Sequence, residues 1–208
     1  MYSKKIKKIF KKWKRYNEIS NAGQITRRYF VMNAFDGALT MLGVVIGAAI
    51  SGKLQNSTII ISAGIAGSIA MGASGLSGAY MTEKAERIKK LKKLKKAMLS
   101  DMKDGLHEKS HRFATIFASL VDGVSPAIAA MTVISPFFIA NFGLISLDTA
   151  FFSCIILTLI VLSVLGVYLA RISDESMIKY GLQMLLIGII TAFLCIATSI
   201  LLGGNISI

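Results

Sequence analysis

Long apolar runs alternate with short polar segments along this chain of 208 residues. Each run has about 20 residues or more, the length an α-helix needs to cross the ~30 Å hydrocarbon layer of a bilayer. The runs lack the strict alternation of transmembrane β-strands, and in lipid only helices or closed barrels satisfy their backbone groups. The pattern predicts an all-α polytopic membrane protein with five transmembrane helices, at about residues 29–51, 57–82, 113–142, 147–170 and 180–202.

Two basic segments outside the spans also carry a helical pattern. Within residues 1–28, Ile6, Phe10 and Trp13 recur at helical spacing among lysines, which predicts an amphipathic helix lying in the headgroup region. The apolar stripe of the second span continues beyond it and predicts a basic cytoplasmic helical connector. The predicted organisation is a basic amphipathic N-terminal segment at 1–28, helices 1 and 2 at 29–82, the connector at 83–112 and helices 3 to 5 at 113–208.

The distribution of charge predicts an orientation. The chain is 54% hydrophobic and only 17% charged, yet its net charge is +13. Of its 24 Lys and Arg residues, ten precede the first span and eleven lie in the connector. This asymmetry follows the positive-inside rule and predicts a cytoplasmic N-terminus and connector and an outside C-terminus. The expected location is the cell membrane. Attraction to anionic lipid headgroups is the second interpretation, and nucleic acid is not an expected partner.

Two acidic residues, Asp36 and Asp122, lie deep inside apolar spans. A carboxylate at that depth costs at least ~2.5 kcal/mol, so it requires a partner or a role. Helical rise places both roughly 12–15 Å from the cytoplasmic side, and Met71 lies at a similar depth. Carboxylate oxygens with a thioether suit Fe²⁺ or Mn²⁺. Because Pro126 has no N–H, the carbonyl of Asp122 is a further candidate oxygen ligand. The alternative is that both carboxylates pair with helix-end Arg or hydroxyl groups and that Met71 only packs.

A second candidate site is the string HEKSH at residues 107–111, which matches H-E-x-x-H. On a helix, His107 and His111 share one face, as a zinc metalloprotease requires, with Glu108 as the general base. The string lies on a charged connector, whereas an intramembrane protease would need it within an apolar span. A looser interpretation is that His107, Glu108 and His111 help to capture a metal ion from the cytoplasm.

Several strings together resemble the vacuolar iron transporter family. Residues 36–40 read DGALT and are similar to that family's opening D-G-L-T segment. Residues 67–72 read GSIAMG, like its small-residue stretch with a central methionine, and residues 135–138 read SPFF, like its proline-containing third helix. Residues 181–193, GLQMLLIGIITAF, resemble its closing helix. The resemblance covers about residues 28–203.

The resemblance implies a dimeric exporter of cytoplasmic Fe²⁺, often also Mn²⁺, driven by proton exchange. The family's membrane aspartate falls on Asp36 and its membrane methionine on Met71, and Asp122 would be a second ligand or proton site. Where the family can carry a glutamate two turns before the methionine, this chain has Ala63 and Gly64. The family's connector is often a Glu-rich metal-collecting domain, whereas the acidic residues of this one are few: Glu83, Glu86, Asp101, Asp104 and Glu108.

The expected function is therefore a divalent-metal/proton antiporter and not an enzyme. It would need no cofactor, since Fe²⁺ or Mn²⁺ is its substrate, and its expected partners are protons, anionic lipids and a second copy of the chain. The predicted metal-binding residues are Asp36, Met71, Asp122, Glu83, Glu86, His107, Glu108 and His111. Two alternatives stay open, an intramembrane zinc metalloprotease using residues 107–111 and a lipid-binding membrane protein that transports nothing.

Overall fold

The computed structural model describes residues 22–52, 56–98 and 106–203, and within those ranges it contains α-helices and no strand. The predicted amphipathic helix before residue 22 lies outside the described residues, as do Asp101 and Asp104. The helices are α1 (Ala22–Ile50), α2 (Ser57–Met98), α3 (Leu106–Asn141), α4 (Leu147–Ile172) and α5 (Met177–Leu201).

All of these helices are long and apolar enough to cross a membrane, which confirms the predicted fold class. The prediction that the second span continues as a helix is also confirmed, because α2 runs without a break to Met98. The helices α1 and α3 begin before their predicted spans, at Ala22 and Leu106. Hydropathy marks only the part of a helix that lipid can surround, whereas backbone hydrogen bonding continues into the polar flanks.

The chain divides into two compact units. The first unit contains residues 73–124 together with the start of α1, and the second contains residues 31–72 and 125–203. The second unit holds the apolar core, to which α1, α2, α3 and α4 all contribute. Its most deeply buried side chains include Met41, Ile60, Val133, Ile134, Phe137, Cys154 and Leu162.

Glycines set the closest helix contacts in the second unit. A Cβ added at Gly37 of α1 would lie 2.7 Å from the Cα of Pro126 in α3. A Cβ at Gly166 of α4 would lie 2.9 Å from the Cα of Gly181 in α5. In lipid, apolar side chains gain nothing by leaving the solvent, so helices associate where small residues let their backbones approach. These glycines therefore hold α1 to α3 and α4 to α5.

Two prolines lie inside α3, at positions 126 and 136, and the helix continues through both. A proline removes one i to i−4 hydrogen bond, so the carbonyl of Asp122 receives no N–H from Pro126. Pro126 is buried and is the residue against which Gly37 packs. It therefore changes the hydrogen bonding of α3 at the position where α1 crosses it.

The Gly37–Pro126 contact predicts a difference between two glycines of the second unit. Gly37→Ala should destabilise the protein by about 1–3 kcal/mol, because its methyl group would meet backbone atoms that cannot rotate away. Gly181→Ala of α5 is the control, since a Cβ there would lie at an ordinary contact distance of 3.5 Å from Val167 Cγ2. Thermal unfolding of both variants in detergent measures the difference. Equal unfolding temperatures for the two variants would contradict the proposed contact.

Candidate metal-binding residues and a buried charge cluster

Asp36 lies on an exposed face of α1, although the helix around it is apolar. Met32, Asp36 and Thr40 recur every four residues and are all exposed, so they share one face. The residues on the opposite side, such as Ala38 and Met41, are in the core. An ionisable group on the outer face of a membrane helix cannot be left facing lipid without a large free-energy cost. This face of α1 therefore requires a polar environment.

The position of Asp36 is fixed by its neighbour Gly37. Gly37 is buried against the backbone of Pro126, so the segment that carries the carboxylate has little freedom to shift along α3. A rigid element places a ligand more precisely than a loop does. The residue that makes the close contact, Gly37, and the residue that carries the exposed carboxylate, Asp36, are thus adjacent in one helix. Gly37 faces inward and Asp36 faces outward.

Met71, the predicted thioether ligand, is partly buried and packs against the core of the second unit. Methionine is flexible and fills irregular spaces in apolar cores, which fits this contact. Its sulfur is also a soft ligand in a part of α2 whose neighbours are glycine, alanine and serine. The packing role is therefore visible in the structure, and a role in metal selectivity stays a prediction.

Asp122 has a different environment, because its side chain is only 7% exposed. It lies in the first unit against Gly75 of α2, where an added Cβ would be 3.1 Å from carboxylate oxygen Oδ2. The same Cβ would be 2.9 Å from the carbonyl oxygen of Asp122, the one that Pro126 leaves without a helical N–H. Gly75 thus leaves space for the carboxylate oxygen Oδ2 and for the backbone carbonyl oxygen of Asp122. The carboxylate and the carbonyl are the two groups of Asp122 that were predicted as ligands, and both lie against Gly75.

A chain of polar contacts lies in the first unit, and we call it the Arg87 cluster: Tyr29, Glu83, Arg87 and His111. Glu83 and Arg87 are buried, at 5% and 6% exposure, and the Arg87 Nε donates to Glu83 Oε2 at 3.0 Å. The Tyr29 hydroxyl donates to the other carboxylate oxygen, Oε1, at 3.1 Å. The Arg87 Nη1 lies 3.2 Å from His111 Nδ1. Since arginine only donates, this ring nitrogen accepts and carries no proton.

Arg87 therefore places a positive charge between two predicted metal ligands. The lone pairs of Glu83 Oε2 and His111 Nδ1 are both directed at the guanidinium. A metal ion held by these atoms would have to displace Arg87. The third guanidinium nitrogen, Nη2, is buried without a hydrogen-bond partner among the described residues. A buried donor in that state costs roughly 1–3 kcal/mol, so one hydrogen-bond donor of the cluster is left uncompensated among the described residues.

The other predicted ligands are distributed around this cluster. Glu86 is exposed and forms an ion pair with Lys90 at 3.8 Å. Glu108 is partly buried at the start of α3, and the side chain of His107 lies outside the described part. Within the described ranges, no three His, Cys, Asp or Glu side chains are grouped closely enough to hold one metal ion.

Sequence reasoning did not identify Arg87 or Tyr29. Arg87 is one of many basic residues in the connector, and hydropathy predicts that each of them faces solvent. One signal was present, because Glu83 and Arg87 are four residues apart and such pairs meet on a helix surface. The spacing alone does not distinguish this buried pair from the pair Glu86 and Lys90. Those two residues are also four apart, but both of their side chains are exposed.

Comparison with known proteins gives two matches. A family model described as the VIT family matches residues 83–199. The chain is also 37% identical over 178 residues to the uncharacterized protein MJ0645 of Methanocaldococcus jannaschii. That alignment covers 83% of this chain and 88% of the archaeal protein.

Two acidic residues of α2 are predicted to differ in their effect on stability. Glu83→Gln removes the charge partner of a buried arginine, which typically costs about 3–5 kcal/mol. Glu86→Gln makes the same chemical change in an exposed pair, where the effect should stay within about 1 kcal/mol. Thermal unfolding of the detergent-purified variants provides the comparison. Equal losses of stability would show that burial of the Glu83–Arg87 pair has no energetic consequence.

Proposed function

The chain belongs to the VIT family, a family of membrane metal-ion transporters, and on that premise we propose that it exports Fe²⁺ or Mn²⁺ from the cytoplasm in exchange for protons. The observation that carries the proposal is the carboxylate of Asp36 on the exposed face of a membrane-spanning helix. A group that lipid penalises this strongly is retained where ions or protons pass. Membership in a transporter family also favours transport over the proteolytic interpretation of residues 107–111.

In this proposal Asp36 performs both parts of the exchange. A carboxylate binds a metal ion only in its deprotonated form, so a proton and a metal ion compete for the same oxygens. Loading from the cytoplasm would displace the proton, and protonation from the outside would release the metal. Met71 would favour Fe²⁺ or Mn²⁺ over harder ions through its sulfur. Asp122, buried in the first unit, would be a second ion or proton position.

The exposed face of α1 also supports a homodimer. The proposal places α2 beside this face. Only 17% of the most apolar 18-residue window of α2 is buried within a single chain. One stripe of its exposed side chains is small and consists of Ala63, Ala66, Ala70, Ala73 and Ser77. By contrast α5 exposes large side chains such as Leu186, Ile190 and Phe193, which suit lipid. Small exposed residues instead suit close contact with another helix.

A second copy would also complete the ion site. Two Asp36 carboxylates that face each other across a symmetry axis would repel unless a cation or protons lay between them. The dimer would thus bring two carboxylates to one divalent ion. In the proposed orientation the N-terminus and the connector are cytoplasmic and the C-terminus is outside, as the basic residues indicate.

Transport should depend on the charge of Asp36. In proteoliposomes loaded with a metal-sensitive dye, Asp36→Asn should abolish Fe²⁺ and Mn²⁺ uptake, because an amide neither exchanges protons nor neutralises the ion. The matched control is Asp174→Asn in the turn between α4 and α5, where Asp has a positive φ of 54° that Asn also tolerates. Imposed pH gradients test the antiport. Wild-type uptake by Asp36→Asn would rule out this mechanism.

The dimer makes a separate prediction about the small-residue face of α2. Ala70→Leu should convert the dimer to monomers, because a leucine side chain would hold the two backbones apart. Ala197→Leu is the control, since Ala197 is an equally exposed alanine on α5. Light scattering of the purified protein in detergent gives the mass of each variant. If Ala70→Leu kept the mass of a dimer, this face would be excluded as the interface.

A further inference from the structure

A cavity of about 330 Å³ lies between α2 and the first turns of α3 in the first unit. Its wall contains three side chains with fixed positive charge, Lys84, Arg87 and Arg112, and one carboxylate, that of Glu108. Glu83, which pairs with Arg87, adds a second carboxylate next to this wall, and three cations against two carboxylates leave the cavity net positive. Such a cavity repels metal ions and attracts anions.

Arg87 gives the cavity a fixed donor. Its Nε is held by Glu83 and its Nη1 by His111, so the orientation of the guanidinium plane is fixed before any ligand arrives. The remaining nitrogen, Nη2, is the buried donor without a partner among the described residues. A guanidinium in this state is preorganised for an oxygen anion, because arginine presents its N–H groups as a rigid fork.

The remaining lining indicates the size and polarity of the ligand. The lining of the cavity also includes the aliphatic side chains of Ile88 and Leu91. The cavity lies where α2 leaves its apolar stretch, since Lys84 is two residues beyond the predicted end of the second span. A tetrahedral phosphate with an attached organic group would contact cations on one side and aliphatic carbons on the other.

We propose that this cavity is a phosphate-binding site, in which the phosphate oxygens contact Arg87, Lys84 and Arg112. The phosphate group belongs either to an anionic phospholipid or to free phosphate, because the same three side chains recognise both. The ligand would connect α2 and α3 by contacting side chains of both helices. The proposal does not depend on metal transport, since it uses neither Asp36 nor Met71.

The test uses the full chain purified in detergent. Native mass spectrometry measures binding of phosphatidylglycerol and of phosphatidylcholine, and thermal unfolding measures the effect of inorganic phosphate. The cavity variant is Lys84→Gln with Arg112→Gln, which leaves Arg87 and its buried partner intact. The control is Lys89→Gln with Lys92→Gln, which removes the same charge from exposed positions of α2 outside the cavity. All four side chains are exposed, so folding should be retained.

One phosphatidylglycerol per chain, bound in preference to phosphatidylcholine and weakened about tenfold or more in the cavity variant alone, supports a lipid headgroup site. Stabilisation by inorganic phosphate that the cavity variant alone loses, with the two lipids binding equally, supports a site for free phosphate. Equal binding by the cavity and control variants would overturn the proposal. So would an absence of both lipid preference and phosphate stabilisation in the wild-type protein.

Discussion

Close approach of helix backbones at glycines is the interaction on which the rest of this structure depends. In lipid the apolar side chains of separate helices are already solvated, so helices associate through contact at short range. Gly37 permits this contact with Pro126, and Gly75 permits it with Asp122. Each contact lies next to a membrane carboxylate or includes one. Helix packing and the placement of ionisable groups are therefore determined by the same few residues.

Two carboxylates have different environments, that of Glu83 just beyond the second predicted span and that of Asp36 within the first. Glu83 is buried, but an arginine and a tyrosine hydroxyl occupy its two oxygens. Asp36 is exposed on a helix face that lipid would otherwise cover. A compensated pair stabilises a fixed arrangement of helices, whereas an exposed carboxylate remains available to an ion. This difference in environment is why the proposals give the first residue a structural role and the second a role in transport.

The Arg87 cluster also changes the interpretation of the connector. Resemblance to iron transporters directs attention to metal capture by its acidic residues, yet Glu83 and His111 already bind the guanidinium. The surrounding cavity is lined by three cations and one carboxylate. In the phosphate proposal this region binds an oxygen anion and not a divalent cation. Metal recognition in the proposed mechanism therefore depends on the membrane residues, and the connector would instead anchor the helices to phosphate.

The sequence by itself determined the helical class, the number of crossings and the approximate helix ends, because apolar length and backbone hydrogen bonding are local properties. It also identified Asp36 and Asp122, since a charge in an apolar run is visible without a structure. Only the tertiary structure separated them: both are followed by glycine, yet Asp36 is exposed and Asp122 is buried against Gly75. Likewise Arg87 is one of many connector cations until Tyr29, Glu83 and His111 are brought to it. Burial depends on which helix face meets a distant segment, and local pattern does not contain that information.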